Sequence, residues 1–347
     1  MSIARQLKKT KPKALITGSM GFVGRHLCKE LCLYGYEVFG MDISGSLQSE
    51  ADKTCAACGK DHDNRTEIID ILDTEAVRDF IGRTEPDIVF HLAGQADVRR
   101  SWEIPELTAK LNILGAVNVL GGIHHMQKAA SHRHTSQNPA PRPRVVMIGS
   151  ADEYGATGVT KPIDEKRQPN PQNPYAISKF IGEAASAQFA KIYNLDVCYT
   201  RSFNHSGPGQ KTGFIIPDFC DAIAKIERGK ANTLTVGNLE SVRDYTDVRD
   251  IARAYRLIAE KGISAQVYNV GSGTGCSGKE ILDMLLTMTR AKINIKQDES
   301  RMRPSDTPIL ICDNAKLIRD TGWSRAYTLK QTLEDTLKYY RNNQTEE

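Results

Sequence analysis

Several classes of protein are excluded by what this 347-residue sequence lacks. Eight cysteines are too few for a disulfide scaffold. The 46 Lys and Arg residues exceed the 42 Asp and Glu residues by only four and are spread along the chain, which argues against a nucleic-acid partner. No apolar run approaches the roughly 18 residues that a bilayer span requires, so no membrane partner is expected. The segment 1–13 is polar and basic without an apolar signal core, so we expect a cytoplasmic protein.

Two polar stretches resemble metal sites only superficially. Cys55 and Cys58 lie in the stretch 44–65, and no second cysteine pair follows them at the spacing of a zinc site. The stretch 129–144 holds histidines among several prolines, a composition typical of irregular loops. We therefore predict no metal site and interpret both stretches as loop insertions.

Short apolar runs alternate along the chain with segments whose apolar residues have helical spacing. The runs that predict strands are 14–17, 37–41, 88–91, 145–148, 197–200 and 267–270. Strands that alternate with helices indicate a parallel sheet with helices on both faces. The predicted fold class is α/β, a doubly wound parallel sheet with a smaller discontinuous α/β lobe for the substrate.

The pattern changes after residue 204, where a loop of glycine and proline precedes a helix at 217–228 and a short strand at 233–236. A later helix, 248–260, and the strand after it are expected to return to the first domain. The predicted domains are 12–204 plus about 241–272 for the sheet domain, and about 205–240 plus 273–340 for the smaller lobe.

A glycine-rich turn separates the first predicted strand from the first predicted helix. Gly18, Gly21 and Gly24 follow the spacing G-x-x-G-x-x-G, with Phe22 and Val23 between the last two glycines. Without side chains at these positions, backbone N–H groups can approach a pyrophosphate at the positive end of the helix. The turn therefore predicts a dinucleotide site.

Two acidic residues extend this predicted site. Asp42 ends the second strand 18 residues after Gly24, close to the ~20-residue spacing of a carboxylate that accepts hydrogen bonds from an adenosine ribose. A 2′-phosphate there would face like charge, so NAD(H) is favoured and NADP(H) is possible. Asp70, followed by Ile71, could bind the adenine amine. Each acid could instead be an ordinary turn or cap residue.

The segment that begins at Asn173 predicts an acid–base pair on a helix. Asn173 suits an N-cap and Pro174 the first helical position, which places Tyr175 and Lys179 one turn apart on one face. An ammonium one turn away favours the phenolate and is expected to bring the pKa of Tyr175 nearer to neutral. The alternative is an ordinary surface pair.

A second candidate residue follows the strand 145–148. Ser150 lies at the carboxyl end of this strand, which is where doubly wound folds bind their ligands. Its hydroxyl is a natural hydrogen-bond partner of a substrate oxygen, although a simple strand-ending turn is the alternative.

The glycine turn, Ser150 and the Tyr-x-x-x-Lys pair together resemble the extended short-chain dehydrogenase/reductase family, over about 13–340. The resemblance implies a Rossmann domain and a small lobe that act on nucleotide-sugars, usually in a homodimer formed through the helix of Tyr175. It implies that Asn112 supports the active-site helix. The further cofactor contacts that it implies are Leu92, Ala93, Gly94, Asn112, Tyr175 and Lys179.

Runs in the second half of the chain resemble the branch of this family that acts on GDP-sugars. The resemblance implies a GDP-sugar substrate, because fixed arginine donors suit a diphosphate. The implied substrate residues are Asn204, Asn238, Arg243 and Arg303.

The reaction implied is reduction of the C4 keto group of a GDP-4-keto-6-deoxy-hexose by hydride from a nicotinamide cofactor. Tyr175 would donate the proton, Lys179 would sustain Tyr175, and Ser150 would steady the oxygen.

Two other functions are open at this point. A nucleotide-sugar 4,6-dehydratase or epimerase would hold its NAD tightly, and Asp152 could serve as the base, although Ala151 lacks the functional group that dehydratases carry there. A third hypothesis is a non-catalytic dinucleotide-binding regulator, against which the Ser150, Tyr175 and Lys179 set argues.

Overall fold

Strands and helices alternate along the chain in a computed structural model, which describes residues 11–43, 65–131, 142–156, 158, 160–298 and 308–342. The strands are β1 (Lys13–Thr17), β2 (Glu37–Asp42), β3 (Arg65–Ile68), β4 (Ile88–His91), β5 (Arg144–Ser150), β6 (Asp196–Ser202), β7 (His205–Ser206), β8 (Thr233–Val236), β9 (Val242–Asp244), β10 (Thr246–Asp247), β11 (Val267–Val270), β12 (Gly275–Ser277), β13 (Asn294–Gln297) and β14 (Ile309–Leu310). The helices are α1 (Phe22–Leu33), α2 (Thr74–Thr84), α3 (Val98–Glu103), α4 (Pro105–Ala109), α5 (Gly115–Ser131), α6 (Pro174–Tyr193), α7 (Ile215–Glu227), α8 (Val248–Lys261), α9 (Gly278–Leu286), α10 (Ala315–Thr321) and α11 (Leu329–Asn342).

The main sheet of the described chain has seven strands in the order β11-β6-β5-β4-β1-β2-β3. β1 pairs in parallel with β2 on one side and β4 on the other, so that Leu15 lies between Phe39 and Val89. The apolar runs of these strands are buried, as expected for a parallel sheet covered on both faces. The strand order reverses between β1 and β4, the arrangement of a Rossmann-type fold, so the predicted fold class is confirmed.

The chain divides into two compact units, and the first comprises Met1–Ile148, Ile181–Tyr199 and Ile258–Gln266. Within this unit α2 packs against α5. A Cβ on Gly122 of α5 would lie 2.8 Å from Cδ1 of Ile81, so the close approach of the two helices depends on this glycine.

The second unit comprises Gly149–Phe180, Thr200–Leu257 and Val267–Glu347. Its apolar core is formed by α7, β8, α9 and α11, and α7 packs against α11. The predicted helix at 217–228 is α7, which begins two residues earlier because Phe214 is its extended N-cap residue. The domain boundaries predicted from the sequence stay a prediction.

A buried carboxylate connects three segments of the second unit. Asp244 of β9 has no exposed surface. Its Oδ1 accepts hydrogen bonds from the backbone N and the Oγ of Ser272, at 2.8 and 2.7 Å. Its Oδ2 accepts from the backbone N–H groups of Gly273 and Cys312, at 2.8 and 3.2 Å. Asp244 thus holds the strand next to β12 and β14, with which β9 pairs.

Candidate active site

The glycine-rich turn connects β1 to α1. Gly18 has a φ of +72°, a left-handed conformation that favours glycine, and its carbonyl accepts a hydrogen bond from Gly21 N at 3.1 Å. A Cβ on Gly24 would lie only 2.2 Å from Gly18 O. Phe22 and Val23 begin the helix, whose first N–H groups are suited to bind phosphate. The bare backbone forms a cradle that fits the pyrophosphate of a dinucleotide.

Asp42 ends β2 beside this turn. Its Oδ2 accepts a hydrogen bond from Met20 N at 2.9 Å, which holds the carboxylate against the turn. On the same strand, a Cβ on Gly40 would lie 2.2 Å from Oγ1 of Thr66 and 2.4 Å from Oγ of Ser19. Asp42 therefore lies against the glycine-rich turn, and its contact with an adenosine ribose stays a prediction.

Leu92, Ala93 and Gly94 follow β4 and lie next to the end of β1. Thr17 Oγ1 accepts a hydrogen bond from Ala93 N at 3.1 Å and lies 2.8 Å from Nδ1 of His91. β1 and β4 are the strands between which the strand order reverses, the position at which doubly wound sheets bind ligands. Thr17 was not among the predicted site residues, and its place at the end of a buried strand was the available signal.

Asn112 lies in a π-helical turn, Lys110–Leu114, of a kind often found at functional sites. Its Oδ1 accepts a hydrogen bond from Gln95 N at 2.8 Å, and its Nδ2 donates to Gln95 O at 3.0 Å. The resemblance implied that Asn112 supports the active-site helix. These two hydrogen bonds hold the loop that follows β4, and the support of the active-site helix by Asn112 stays a prediction.

Asp70 and Ile71 follow β3. Asp70 is exposed, and its Oδ1 accepts a hydrogen bond from Leu72 N at 2.9 Å. The cap of α2 is Asp73, three residues later. Ile71 is buried, and a Cβ on Gly115 would lie 3.1 Å from its Cγ1. Asp70 is therefore a turn residue that a ligand can reach.

The predicted acid–base set lies within the second unit. Asn173 Oδ1 accepts a hydrogen bond from Ala176 N at 2.8 Å and Pro174 is the first residue of α6, which confirms the predicted helix start. Ser150, the last residue of β5, hydrogen-bonds through its side chain to Tyr175. Both side chains are buried. The structure thus brings together the two hydroxyl groups that the sequence singled out.

The titration of this set differs from the prediction. Burial and the negative charges of Asp152 and Glu153 raise the pKa of Tyr175, although its hydrogen bond with Ser150 lowers it. Burial lowers the pKa of Lys179 to about 8. Lys179 Nζ lies 6.0 Å from the centre of the Tyr175 ring. The expected shift of the Tyr175 pKa toward neutral is wrong, because burial and the two acids raise this pKa.

The 3₁₀ turn Ala151–Tyr154 supplies those two acids. Asp152 is half-buried and donates its backbone N–H to Ser150 Oγ at 3.2 Å. Glu153 has no exposed surface, and its Oε1 accepts a hydrogen bond from Ser150 N at 2.8 Å. Sequence reasoning missed Glu153. The available signal was the capping-box spacing, with Glu153 three residues after Ser150.

Three of the four predicted substrate residues, Asn204, Asn238 and Arg243, lie in the second unit as well. Asn204 is exposed, and its carbonyl accepts a hydrogen bond from Thr246 N at 2.9 Å. Asn238 holds a turn, with its Nδ2 donating to Ser241 Oγ at 3.0 Å. Arg243 of β9 is half-buried and donates from Nη1 to the carbonyl of Val242. Arg303 lies outside the described residues.

Cys55 and Cys58 also lie outside the described residues. Within the described ranges, no group of three or more His, Cys, Asp or Glu side chains could hold a metal ion. In the same ranges, no helix has both the length and the apolar character needed to cross a bilayer.

The comparisons with known proteins agree with this geometry. The family model described as GDP-mannose 4,6 dehydratase matches residues 15–336. The chain belongs to this family. The match confirms the expected nucleotide-sugar branch of the short-chain dehydrogenases and the prediction that the chain is an enzyme.

Individual relatives of this family cover nearly the whole chain. The GDP-6-deoxy-D-mannose reductase of Pseudomonas aeruginosa is 32% identical, over 96% of this chain and 99% of its own. The structure of RMD from Pseudomonas aeruginosa complexed with NADPH is 29% identical with a TM-score of 0.78, covering 96% and 99% of the two chains. A UDP-glucose 4-epimerase from Thermotoga maritima, solved with UDP-glucose, is 27% identical with a TM-score of 0.81, covering 95% and 99%. These relatives support a nicotinamide cofactor.

Proposed function

We propose that this protein reduces the C4 keto group of a GDP-4-keto-6-deoxy-hexose with a nicotinamide cofactor. The observation that carries the proposal is that the structure brings the buried hydroxyl groups of Ser150 and Tyr175 together. Two hydroxyl groups in one place can hydrogen-bond a substrate oxygen and donate a proton to it as an alkoxide develops. The similarity to GDP-6-deoxy-D-mannose reductase supports the same reaction.

When bound, a nicotinamide cofactor would supply the hydride for the new C–H bond at C4. Tyr175 donates its hydroxyl proton to O4 as the carbonyl π bond breaks, so the substrate gains one hydride and one proton. Ser150 donates a hydrogen bond to the same oxygen and stabilises its negative charge. The Lys179 ammonium stabilises the tyrosinate until a proton from solvent restores it.

NAD(H) is the cofactor that Asp42 favours. Its carboxylate suits the two hydroxyls of an adenosine ribose, whereas a 2′-phosphate would face like charge. NADP(H) is the alternative, which the NADPH complex of the Pseudomonas aeruginosa structure supports. The proposed cofactor contacts of the first unit are Gly18, Gly21, Phe22, Val23, Gly24, Asp42, Asp70, Ile71, Leu92, Ala93, Gly94 and Asn112.

The GDP-sugar is proposed to bind through residues of the second unit. Asn204 is accessible to a ligand, and Arg243 offers a guanidinium of the kind that binds a diphosphate. Asn238 and Arg303 complete the proposed set, the latter on sequence grounds alone.

A 4,6-dehydratase is the second candidate, and the position of Asp152 favours it. Asp152 is half-buried and its charge acts on Tyr175, so it is suited to serve as the base that removes the C5 proton after oxidation at C4. Ala151, however, has no group that could protonate a departing C6 hydroxyl.

A homodimer in the cytoplasm is the proposed assembly and setting. Ile177, Phe180 and Ile181 lie on one face of α6 at helical spacing, and all three are exposed. An exposed apolar stripe on a helix is suited to pair with a second copy.

Two reaction mixtures distinguish the two candidates. Purified protein is given GDP-mannose with catalytic NAD, and separately a GDP-4-keto-6-deoxy-hexose with NADH or NADPH. Oxidation of the nicotinamide confined to the second mixture supports the reductase. Formation of the 4-keto product in the first mixture would establish the dehydratase instead.

Replacement of Tyr175 by Phe tests the proton donor. We expect kcat to fall about 10²- to 10⁴-fold, the range of a lost general acid, while cofactor binding persists. The matched control is Tyr268→Phe, which removes another buried hydroxyl, one that donates to Asp320 Oδ2 at 3.1 Å. Full activity of the Tyr175 variant would refute the proposed role.

A further inference from the structure

Glu153 is a buried acid that the proposed reaction does not yet use. It has no exposed surface, yet it lies in the short turn that directly follows Ser150. Its Oε1 accepts the Ser150 backbone N–H at 2.8 Å, and Ser150 Oγ in turn belongs to the capping box of this turn. The carboxylate is therefore fixed in place one turn away from a residue of the acid–base set.

The charges around Tyr175 and Lys179 come from several elements of the second unit. Asp152 and Glu153 act from the 3₁₀ turn, and Tyr255 acts on Tyr175 from α8. The negative charge of Glu153 raises the pKa of Lys179 against the larger lowering by burial, and it also raises the pKa of Tyr175. A single buried charge thus favours the protonated form of both groups.

We propose that Glu153 is a positioning residue, whose carboxylate fixes the Ser150 backbone N–H and supplies a buried negative charge to the Tyr175 and Lys179 pair. This inference rests on the proposed reductase function for its consequence in turnover. Its electrostatic part concerns the folded protein alone and can be measured without substrate.

Glu153→Gln separates the charge from the hydrogen bond, because the glutamine amide oxygen can still accept from Ser150 N–H. The measurement is the pH dependence of trace acetylation of Lys179 in the full chain, quantified by mass spectrometry. We expect the labelling midpoint to fall by about one pH unit in this variant, since one close opposite charge is removed. A purely structural role predicts an unchanged midpoint, and that result would overturn the proposal.

Two further variants control this experiment. Glu165→Gln neutralises another acid of the second unit. Glu165 is half-buried and accepts a hydrogen bond from the backbone N–H of Asn269 at 2.8 Å. We expect this variant to leave the Lys179 labelling midpoint unchanged. Glu153→Asp keeps the charge on a shorter side chain, so its midpoint should stay within about 0.3 units of wild type. If the glutamine variant does not fold, a full-unit fall in the aspartate variant would overturn the proposal.

The turnover readout separates this proposal from the proposed function. With the 4-keto substrate, kcat of the wild type should fall as pH rises through about 8, the pKa of Lys179. In the Glu153→Gln variant, kcat should begin to fall at a lower pH. The difference from wild type should equal the shift of the Lys179 labelling midpoint. A shifted labelling midpoint without any reductase activity would sink the reductase while leaving the electrostatic role of Glu153 intact. If wild type and Glu153→Gln both reduce the substrate with the same labelling midpoint and the same pH profile, the reductase function stands and the electrostatic role of Glu153 is overturned.

Discussion

Replacement of Gly24 by Ala tests the close approach on which the proposed cofactor cradle depends. The new Cβ would lie 2.2 Å from Gly18 O and 2.8 Å from Ser19 O, whereas real Cβ atoms essentially never approach within 3.0 Å. Both contacts are with backbone atoms, which have no rotamer to change. The turn must therefore retreat from α1 by at least 0.8 Å, the difference between 3.0 and 2.2 Å.

The size of the effect follows from hydrogen-bond geometry. A shift of this size lengthens a typical 2.9 Å hydrogen bond to about 3.7 Å, beyond the range in which it is effective. Loss of one hydrogen bond to a charged group costs about 1.5–3 kcal/mol, which weakens binding about 10- to 100-fold. Overpacking should also lower the free energy of unfolding by about 1–3 kcal/mol.

Fluorescence titration with NADH and with NADPH measures the binding, and thermal denaturation measures the stability. The matched control is Gly121→Ala, because Gly121 lies in α5 and a Cβ added there would meet no atom of another element within 4 Å. That variant should bind cofactor as the wild type does and gain about 0.5–1 kcal/mol of stability. A folded Gly24 variant that binds both cofactors within about twofold of wild type would refute the cradle, since the bond lost to the shifted turn should cost at least about tenfold.

Three further variants test the remaining features. Asp42→Ala should shift the ratio of affinities toward NADPH by about tenfold, because about 1.4 kcal/mol of like-charge repulsion is removed; an unchanged ratio in binding titrations would remove Asp42 from the ribose site. Phe180→Glu should convert the proposed dimer to a monomer in sedimentation experiments, and a monomeric wild type would contradict the dimer. Asp244→Asn should lower the free energy of unfolding in urea by about 1–3 kcal/mol, because its amide nitrogen would face at least one of the backbone N–H donors of Ser272, Gly273 and Cys312. A loss below about 0.5 kcal/mol would show that those donors find other partners.

The elements around the candidate site could be predicted because their signals are local. The Asn173 cap and Pro174 at the first position fix where α6 begins, and both depend on only a few neighbouring residues. The strand that ends on Asp42 and the glycine turn before α1 are equally local patterns.

The protonation of the site could not be predicted in the same way. Spacing placed Lys179 beside Tyr175, but spacing carries no information about burial or about charges from other elements. Glu153 is polar in sequence and buried in the fold, so its effect on both groups depends on the turn after β5. The partner of Asn112 was likewise not predictable, since Gln95 is 17 residues away along the chain.

The sequence by itself determined the parallel α/β architecture and the glycine-rich turn, and it predicted the Ser150, Tyr175 and Lys179 set. The architecture follows from hydrophobic periodicity, and the turn and the set follow from residue types that few other amino acids can replace. Only the tertiary structure decided that the pKa of Tyr175 is raised and that of Lys179 is lowered to about 8. The physical reason is that desolvation and long-range charge depend on which groups the fold buries together, and no local pattern records that.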